Sequence, residues 1–166
     1  MSAGLHRSSS PERVTFCILT VSDSRDAGSD SSGDLIEEML RKAGHEIRLR
    51  GLVRDEIEQI RGYIQRALEG GTDAIVITGG TGISSRDVTP EALDGLVERR
   101  LPGFGELFRV LSYQQIGSAA MMSRGLAGMV GKTVIFSLPG SPDAVELALK
   151  KLILPEIGHL IREARR

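Results

Sequence analysis

The segment ITGGTGISSRDVTPEAL, Ile77 to Leu93, sets three glycines, two serines, an arginine and an aspartate between an apolar run and a proline-led helix start. Glycine amides, small hydroxyls and the free N–H groups of a helix N-terminus hold an anion without a basic side chain. Asp87 then stands out, because a carboxylate repels phosphate unless a divalent cation lies between them. A Mg²⁺ shared by one or two carboxylates and phosphate oxygens is the usual arrangement. The alternative for Asp87 is a favourable charge near the positive end of the helix that begins at Pro90, worth about 0.3–1 kcal/mol. A second acid, Asp55, reads from spacing alone as a helix N-cap, with Glu58 three residues on as a capping-box-like partner. Arg86 and Arg124 are potential phosphate partners, although an isolated arginine is more often a solvated charge.

Known phosphate-loop patterns do not fit. Ser84 and Ser85 stand where a Walker loop has its Gly-Lys, and Ser85 falls at the third glycine of a dinucleotide fingerprint. No Gly-x-Ser-x-Gly elbow is present, and His6, His45 and His159 have no metal-ligand spacing. With 21 basic and 22 acidic side chains, the net charge of −1 gives no global attraction to nucleic acid or anionic membrane. A phosphate must therefore be held locally. The single Cys17 sits in an apolar run, which leaves no disulfide framework and points to a reducing, cytoplasmic setting. No apolar stretch approaches the roughly 20 residues that span a bilayer.

Elements that position such a loop follow from the hydrophobic pattern. The 166 residues suit one domain, with a polar tail over Met1 to about Arg13 and a folded domain from Val14 onward. Val14 to Val21 is a nearly continuous apolar run, as in a strand covered on both faces. Leu35, Ile36, Met39, Leu40 and Ala43 recur at helical spacing up to Gly44, a left-handed stop. Glu46 to Val53 alternates, and Ile57, Ile60, Ile64, Ala67 and Leu68 mark a second helix ended by Gly70 and Gly71. Ala74 to Thr78 is a short buried strand leading into the loop. Thr89-Pro90 is a helix start in which the Thr hydroxyl accepts from a free amide. PGFGELFRVL reads as a helix with Leu107, Phe108 and Leu111 inward, Lys132 to Leu138 as a strand, and Ser141-Pro142 as a capped helix start. This alternation predicts right-handed crossovers and a largely parallel sheet between helices.

Ligands gather beyond the C-terminal ends of such strands. Three segments lie there: SDSRDAGSDSSGDL after Val21, GGTGISSRD after Thr78 and PGSPDA after Leu138. All three combine glycines, hydroxyls and helix starts. Ser32 and Ser141 each have the simpler reading of a helix cap, but three such loops at one sheet edge favour a site.

TGGTGISSRDVTPEA, PGFGELFR, SRGLAG and LPGSP, in this order, resemble the MoaB/Mog family of molybdopterin-binding proteins, the molybdopterin adenylyltransferases of molybdenum cofactor biosynthesis. The similarity runs from about Val14 to Leu160. It implies a three-layer α/β/α domain around a mostly parallel sheet, assembled as a trimer or hexamer. The activity it implies is attack of the terminal phosphate of molybdopterin on the α-phosphate of Mg²⁺-bound ATP, which releases pyrophosphate. By this resemblance Asp87 and Asp55 are the catalytic and metal-holding acids, with capping and metal roles for Asp55 not exclusive. Thr78, Gly79, Gly80, Thr81, Gly82 and Ser84 hold the pterin substrate, joined by Ser31, Ser32 and Gly33, by Ser123 and Arg124, and by Pro139, Gly140 and Ser141. Molybdopterin and ATP are then the ligands, with transient contact with other molybdenum cofactor enzymes. A non-catalytic molybdopterin carrier and a nucleotide hydrolase are the alternatives, since a fold does not fix a reaction.

Overall fold

Apolar strands need cover on both faces, and here they receive it from two helical layers. The computed structural model describes residues 10–166, so residues 1–9 of the expected tail lie outside the described residues. In chain order the elements are β1 (Thr15–Val21), α1 (Ser31–Lys42), β2 (Glu46–Val53), α2 (Ile57–Glu69), β3 (Ala74–Thr78), α3 (Thr89–Leu93), β4 (Arg99–Arg100) and α4 (Pro102–Ile116). A 3-10 segment (Gly117–Met122) follows, then β5 (Leu126–Val130), β6 (Thr133–Leu138), α5 (Pro142–Ala148), a π-helical turn (Leu149–Ile153) and α6 (Leu154–Ala164).

The six strands form one sheet in the order β2-β1-β3-β6-β5-β4. The pairs β1 with β2, β1 with β3 and β3 with β6 are parallel, while β5 runs antiparallel to β6 and to β4. The sheet is thus mostly parallel, as the sequence predicts. Alternate residues of each central strand feed different cores. Phe16, Ile18, Val76, Val134 and Phe136 pack with Ile36 and Leu40 of α1, Phe108 of α4 and Val145 of α5. Cys17, Leu19, Ile75, Ile77 and Ile135 pack with Ile60 and Ile64 of α2 and with Ala92 and Leu93 of α3. This period-2 division between two apolar faces is why the strands read as continuous apolar runs.

Several local expectations change. Leu107 is 55% exposed, on the outer face of α4, while Phe108 is buried. Asp30, and not Ser32, caps α1, its carboxylate accepting from the Gly33 amide. At α2 the cap position is Glu56 and no side chain bonds the free amides, so Asp55 is not a cap. Thr89 is the first residue of α3 and its hydroxyl donates to the Gly79 carbonyl, so it does not cap the helix. Ser141 does cap α5, accepting from the Ala144 amide, and Gly44 is left-handed with φ 88°.

Gly51 of β2 lets the ring of Tyr63 lie against the strand, since a Cβ there would come within 2.5 Å of the ring. The buried Tyr63 hydroxyl donates to the Ile18 carbonyl at 2.6 Å and lies 3.0 Å from that of Leu49, tying α2 to β1 and β2. Tyr63→Phe is expected to lower unfolding stability by about 1–2 kcal/mol, the cost of an unmade buried bond. Urea denaturation checks this, and an unchanged midpoint would show that the bond contributes nothing.

Candidate functional site

Where β1, β3 and β6 end together, their three loops enclose a cavity of about 770 Å³. Its floor is the glycine turn after β3. Gly79 and Gly80 have φ of 102° and 67°, a conformation that favours glycine. A Cβ on Gly79 would overlap the Val21 carbonyl oxygen, and one on Gly80 would strike the Thr89 hydroxyl and come within 2.9 Å of the Asp55 carboxylate. No other residue allows β1 and β3 to finish this close together.

Cross-strand bonds set the three loops at one level. The Gly79 amide donates to the Leu138 carbonyl at 2.9 Å and the Thr78 hydroxyl to the Pro139 carbonyl at 2.9 Å. Ser32, buried at the start of α1, donates to the Gly140 carbonyl at 2.7 Å. Thr89 closes the turn from below, its amide bonding Gly80 and its hydroxyl Gly79. Arg124 braces the rest of the loop. It donates to the carbonyls of Gly82 and Asp87 at 2.9 and 2.8 Å and pairs with Glu91.

Asp55, Asp87 and Asp23 meet at one end of the cavity. The Asp87 carboxylate accepts from the Ser84 amide at 3.0 Å. Asp23 accepts twice from the Arg86 guanidinium, at 2.9 and 2.6 Å, and once from the Asp55 amide at 3.1 Å. These bonds, Arg86 first, hold the Asp23 carboxyl below its ordinary range. Asp55 is pushed the other way. Burial raises its pKa, repulsion from Asp23 and Asp87 raises it further, and the Asp23 amide and Arg86 offset this only in part.

The opposite end is built differently. Pro139, Gly140 and Ser141 line it with Ser123, Phe108, Ile116 and Met122. Arg25 reaches in from the loop after β1, its Nη1 3.1 Å from the Ser32 hydroxyl. Beneath, the buried Asp30 binds the Thr20 hydroxyl at 2.8 Å and the Arg50 guanidinium at 3.0 Å, which fixes the start of α1 against β1 and β2.

Of the residues singled out in the sequence, Asp55, Asp87, Thr78, Gly79, Gly80, Thr81, Gly82, Ser123, Pro139, Gly140 and Ser141 line this one cavity. Ser84 and Arg124 border an adjoining hollow of about 390 Å³ on the far side of the loop, which Asp87 also borders. Ser31, Ser32 and Gly33 do not line the cavity: Ser32 and Gly33 are buried and Ser31 is exposed at the start of α1. Asp23 and Arg25 were not singled out. Their signal was present in SDSRD, directly after a strand end, but charged residues in a polar loop look alike until their partners are known.

The arrangement places carboxylates, loop amides, hydroxyls and a guanidinium around one volume, and among the described residues no three His, Cys, Asp or Glu side chains form a closed metal-ligating group. A divalent ion held here would need phosphate oxygens or water to complete its shell, which suits Mg²⁺.

Residues 17–159 match a family model described as "Probable molybdopterin binding domain". Molybdenum cofactor biosynthesis protein B of Bacillus subtilis (strain 168) is 46% identical over 168 residues, covering 100% of this chain and 99% of its own. A crystal structure of a molybdenum cofactor biosynthesis protein B superposes with TM-score 0.90 at 45% identity, over 94% of this chain and 98% of that one. The tungsten cofactor synthesizing protein MoaB from Pyrococcus furiosus superposes with TM-score 0.86 at 37% identity, over 94% and 99%.

A carboxyl whose folded pKa is raised binds its proton more tightly in the fold. The stability it contributes is present below the ordinary Asp value and lost as pH rises through the raised value. Asp55→Asn is therefore expected to be more stable than the unmodified protein at pH 7 without divalent cations, and to lose that advantage near about pH 3. Chemical denaturation at both pH values tests this. Lower stability of the variant at pH 7 would mean that the ionised Asp55 supports the fold.

Proposed function

This chain belongs to the MoaB/Mog family of molybdopterin-binding proteins of molybdenum cofactor biosynthesis, and from that membership we propose that it adenylylates molybdopterin with Mg²⁺-ATP. The terminal phosphate of molybdopterin attacks the α-phosphate of ATP; a new P–O bond forms, the bond to the β-phosphate bridge breaks, and pyrophosphate leaves. The observation that carries this reading is the meeting of Asp23, Asp55 and Asp87 beside a glycine turn, with Asp55 destabilised as an anion by burial and by the other two. Such a cluster favours a cation.

Asp55 and Asp87 are the residues that would hold Mg²⁺, which when bound lowers the repulsion between the two phosphates and polarises the one under attack. The chain itself positions. Loop amides from Gly80 to Gly82 hold the body of the pterin, and the turn's rigidity, set by Thr89 and Arg124, keeps the reacting groups at fixed separation. Phosphoryl-type transfer depends mainly on such positioning and on charge neutralisation, so no protein nucleophile is needed.

Two further statements belong to the same proposal. Ser32 acts from behind the wall by fixing Gly140, Ser31 and Gly33 form the helix start that carries it, and Ser84 and Arg124 act by shaping the loop that carries Asp87. The outer face of α4 and the 3-10 segment presents Leu107, Val110, Tyr113, Ile116 and Met121, each 55–81% exposed, an apolar stripe that suits burial against further copies in a trimer or hexamer. Light scattering is expected to give a multiple of three chains, and Val110→Glu with Tyr113→Glu to break it up. A monomeric unmodified protein would overturn the assembly reading.

Incubation with molybdopterin, ATP and Mg²⁺ tests the activity. Adenylylated pterin with equimolar pyrophosphate is expected; bound but unmodified pterin would make the protein a carrier, and nucleotide cleavage without pterin a hydrolase. Asp87→Ala is expected to lower turnover at least about a hundredfold while pterin affinity changes little, because amides and not the acid hold the pterin. Retained turnover would remove Asp87 from the mechanism.

A further inference from the structure

The cavity straddles the sheet edge and its two halves differ in charge. Asp55 and Asp87 precede α2 and α3, the helices of one face, whereas Arg25, Ser32 and Gly140 meet at the starts of α1 and α5 on the other. Two cations, Arg25 and Arg86, line the cavity among the described residues. Arg86 is committed, with Nε and Nη2 both bonded to Asp23. Arg25 is not. The residue is half-buried, and its guanidinium makes one bond, to the neutral Ser32 hydroxyl, with no carboxylate partner among the described residues. A guanidinium has five donors in a planar fork matched to phosphate, so most of its capacity remains open.

We propose that Arg25 is the residue that receives the metal-free phosphate monoester of the substrate, in the half of the cavity away from the carboxylates. This rests on the adenylyl-transfer reading and assigns its two phosphate-bearing ligands to different halves. A phosphate accompanied by a divalent cation is drawn to Asp55 and Asp87. A phosphate monoester without metal is repelled there and needs a fixed positive charge, which Arg25 supplies. The anchor for that charge is built in: the Ser32 hydroxyl accepts from Arg25 and donates to the Gly140 carbonyl, so the guanidinium is held against the loop after β6. Phe108, Ile116, Ala119, Ala120 and Met122 line the same half. An apolar wall beside one guanidinium suits a flat ring system that carries a phosphate, and bare phosphate would gain nothing from it.

Titration of the full chain with inorganic phosphate in EDTA, and separately with Mg²⁺-ATP, followed by amide NMR, separates the two halves. Arg25→Gln is expected to weaken phosphate binding at least about tenfold and to leave Mg²⁺-ATP affinity within about twofold, with Arg25→Lys intermediate for phosphate. Asp55→Asn is expected to do the reverse. Unchanged phosphate affinity in Arg25→Gln, no phosphate binding by the unmodified protein, or parallel losses of phosphate and Mg²⁺-ATP would each overturn the assignment. The two readings also fail separately. Arg25-dependent phosphate binding in a protein that forms no adenylylated pterin retires the activity and leaves the subsite; product formed with Arg25-independent phosphate binding does the opposite.

Discussion

The approach of Gly79 to the Val21 carbonyl fixes how near the ends of β1 and β3 can lie, and the site is arranged around that distance. A side chain at Gly79 would push the loop off the end of β1 and separate the carboxylates of Asp23 and Asp87, which belong to different loops. The same turn sends the Gly79 amide to Leu138 and its carbonyl to Thr89, so one residue joins β3, β6 and α3. Parallel strands alone would leave three independent loops. Bonds from Thr78 to Pro139 and from Ser32 to Gly140 make them one wall.

Below that wall the acid at the start of α1 is satisfied by several donors, which is what allows it to be buried. Asp30 is 2% exposed, yet it accepts from Thr20, the Gly33 amide and Arg50, and Arg50 is shared in turn with Asp34 and Glu37. A buried carboxylate with three donors is tolerable; without them it would destabilise the start of α1. Asp55 has no comparable set. The contrast between two nearby aspartates separates a structural acid from one left short of positive charge, and the latter is where a ligand has something to gain.

Much of this was legible in the sequence for physical reasons. Strands β1, β3 and β6 read as apolar runs because both of their faces are covered, and their order with the helices gives the parallel sheet and the location of the cavity. The glycine turn was legible because few residues tolerate that backbone. What the sequence could not convey was pairing. Asp30 and Ser32 are two residues apart and chemically interchangeable as caps; only the position of Thr20 and Gly140 decides which one caps α1. Asp55 looked like a cap because Glu58 follows it, although its carboxyl turns toward Asp23, a residue 32 positions earlier. Leu107 fits an inward helical pattern as well as Phe108 does, since periodicity fixes which residues share a face and not whether that face is covered by the same chain. The short β4 and the glycine-bearing β5 fell below any strand signal and formed against β6.

An acid where phosphate loops carry lysine fits the proposed function and this geometry. A lysine at residue 87 would satisfy one phosphate directly, but it would also pair with Asp23 and Asp55 and neutralise the end of the cavity in the absence of ligand. With Asp87, that end stays short of positive charge, and Arg86, exposed and already bonded to Asp23, relieves only part of it. Coulomb attraction to a divalent ion is about twice that to a guanidinium at equal distance, so the ion competes well for carboxylates that Arg86 leaves unbonded. The charge deficit is thus kept local by the same loop that holds the amides, and under the proposed function anions would enter that half most readily in company with a cation.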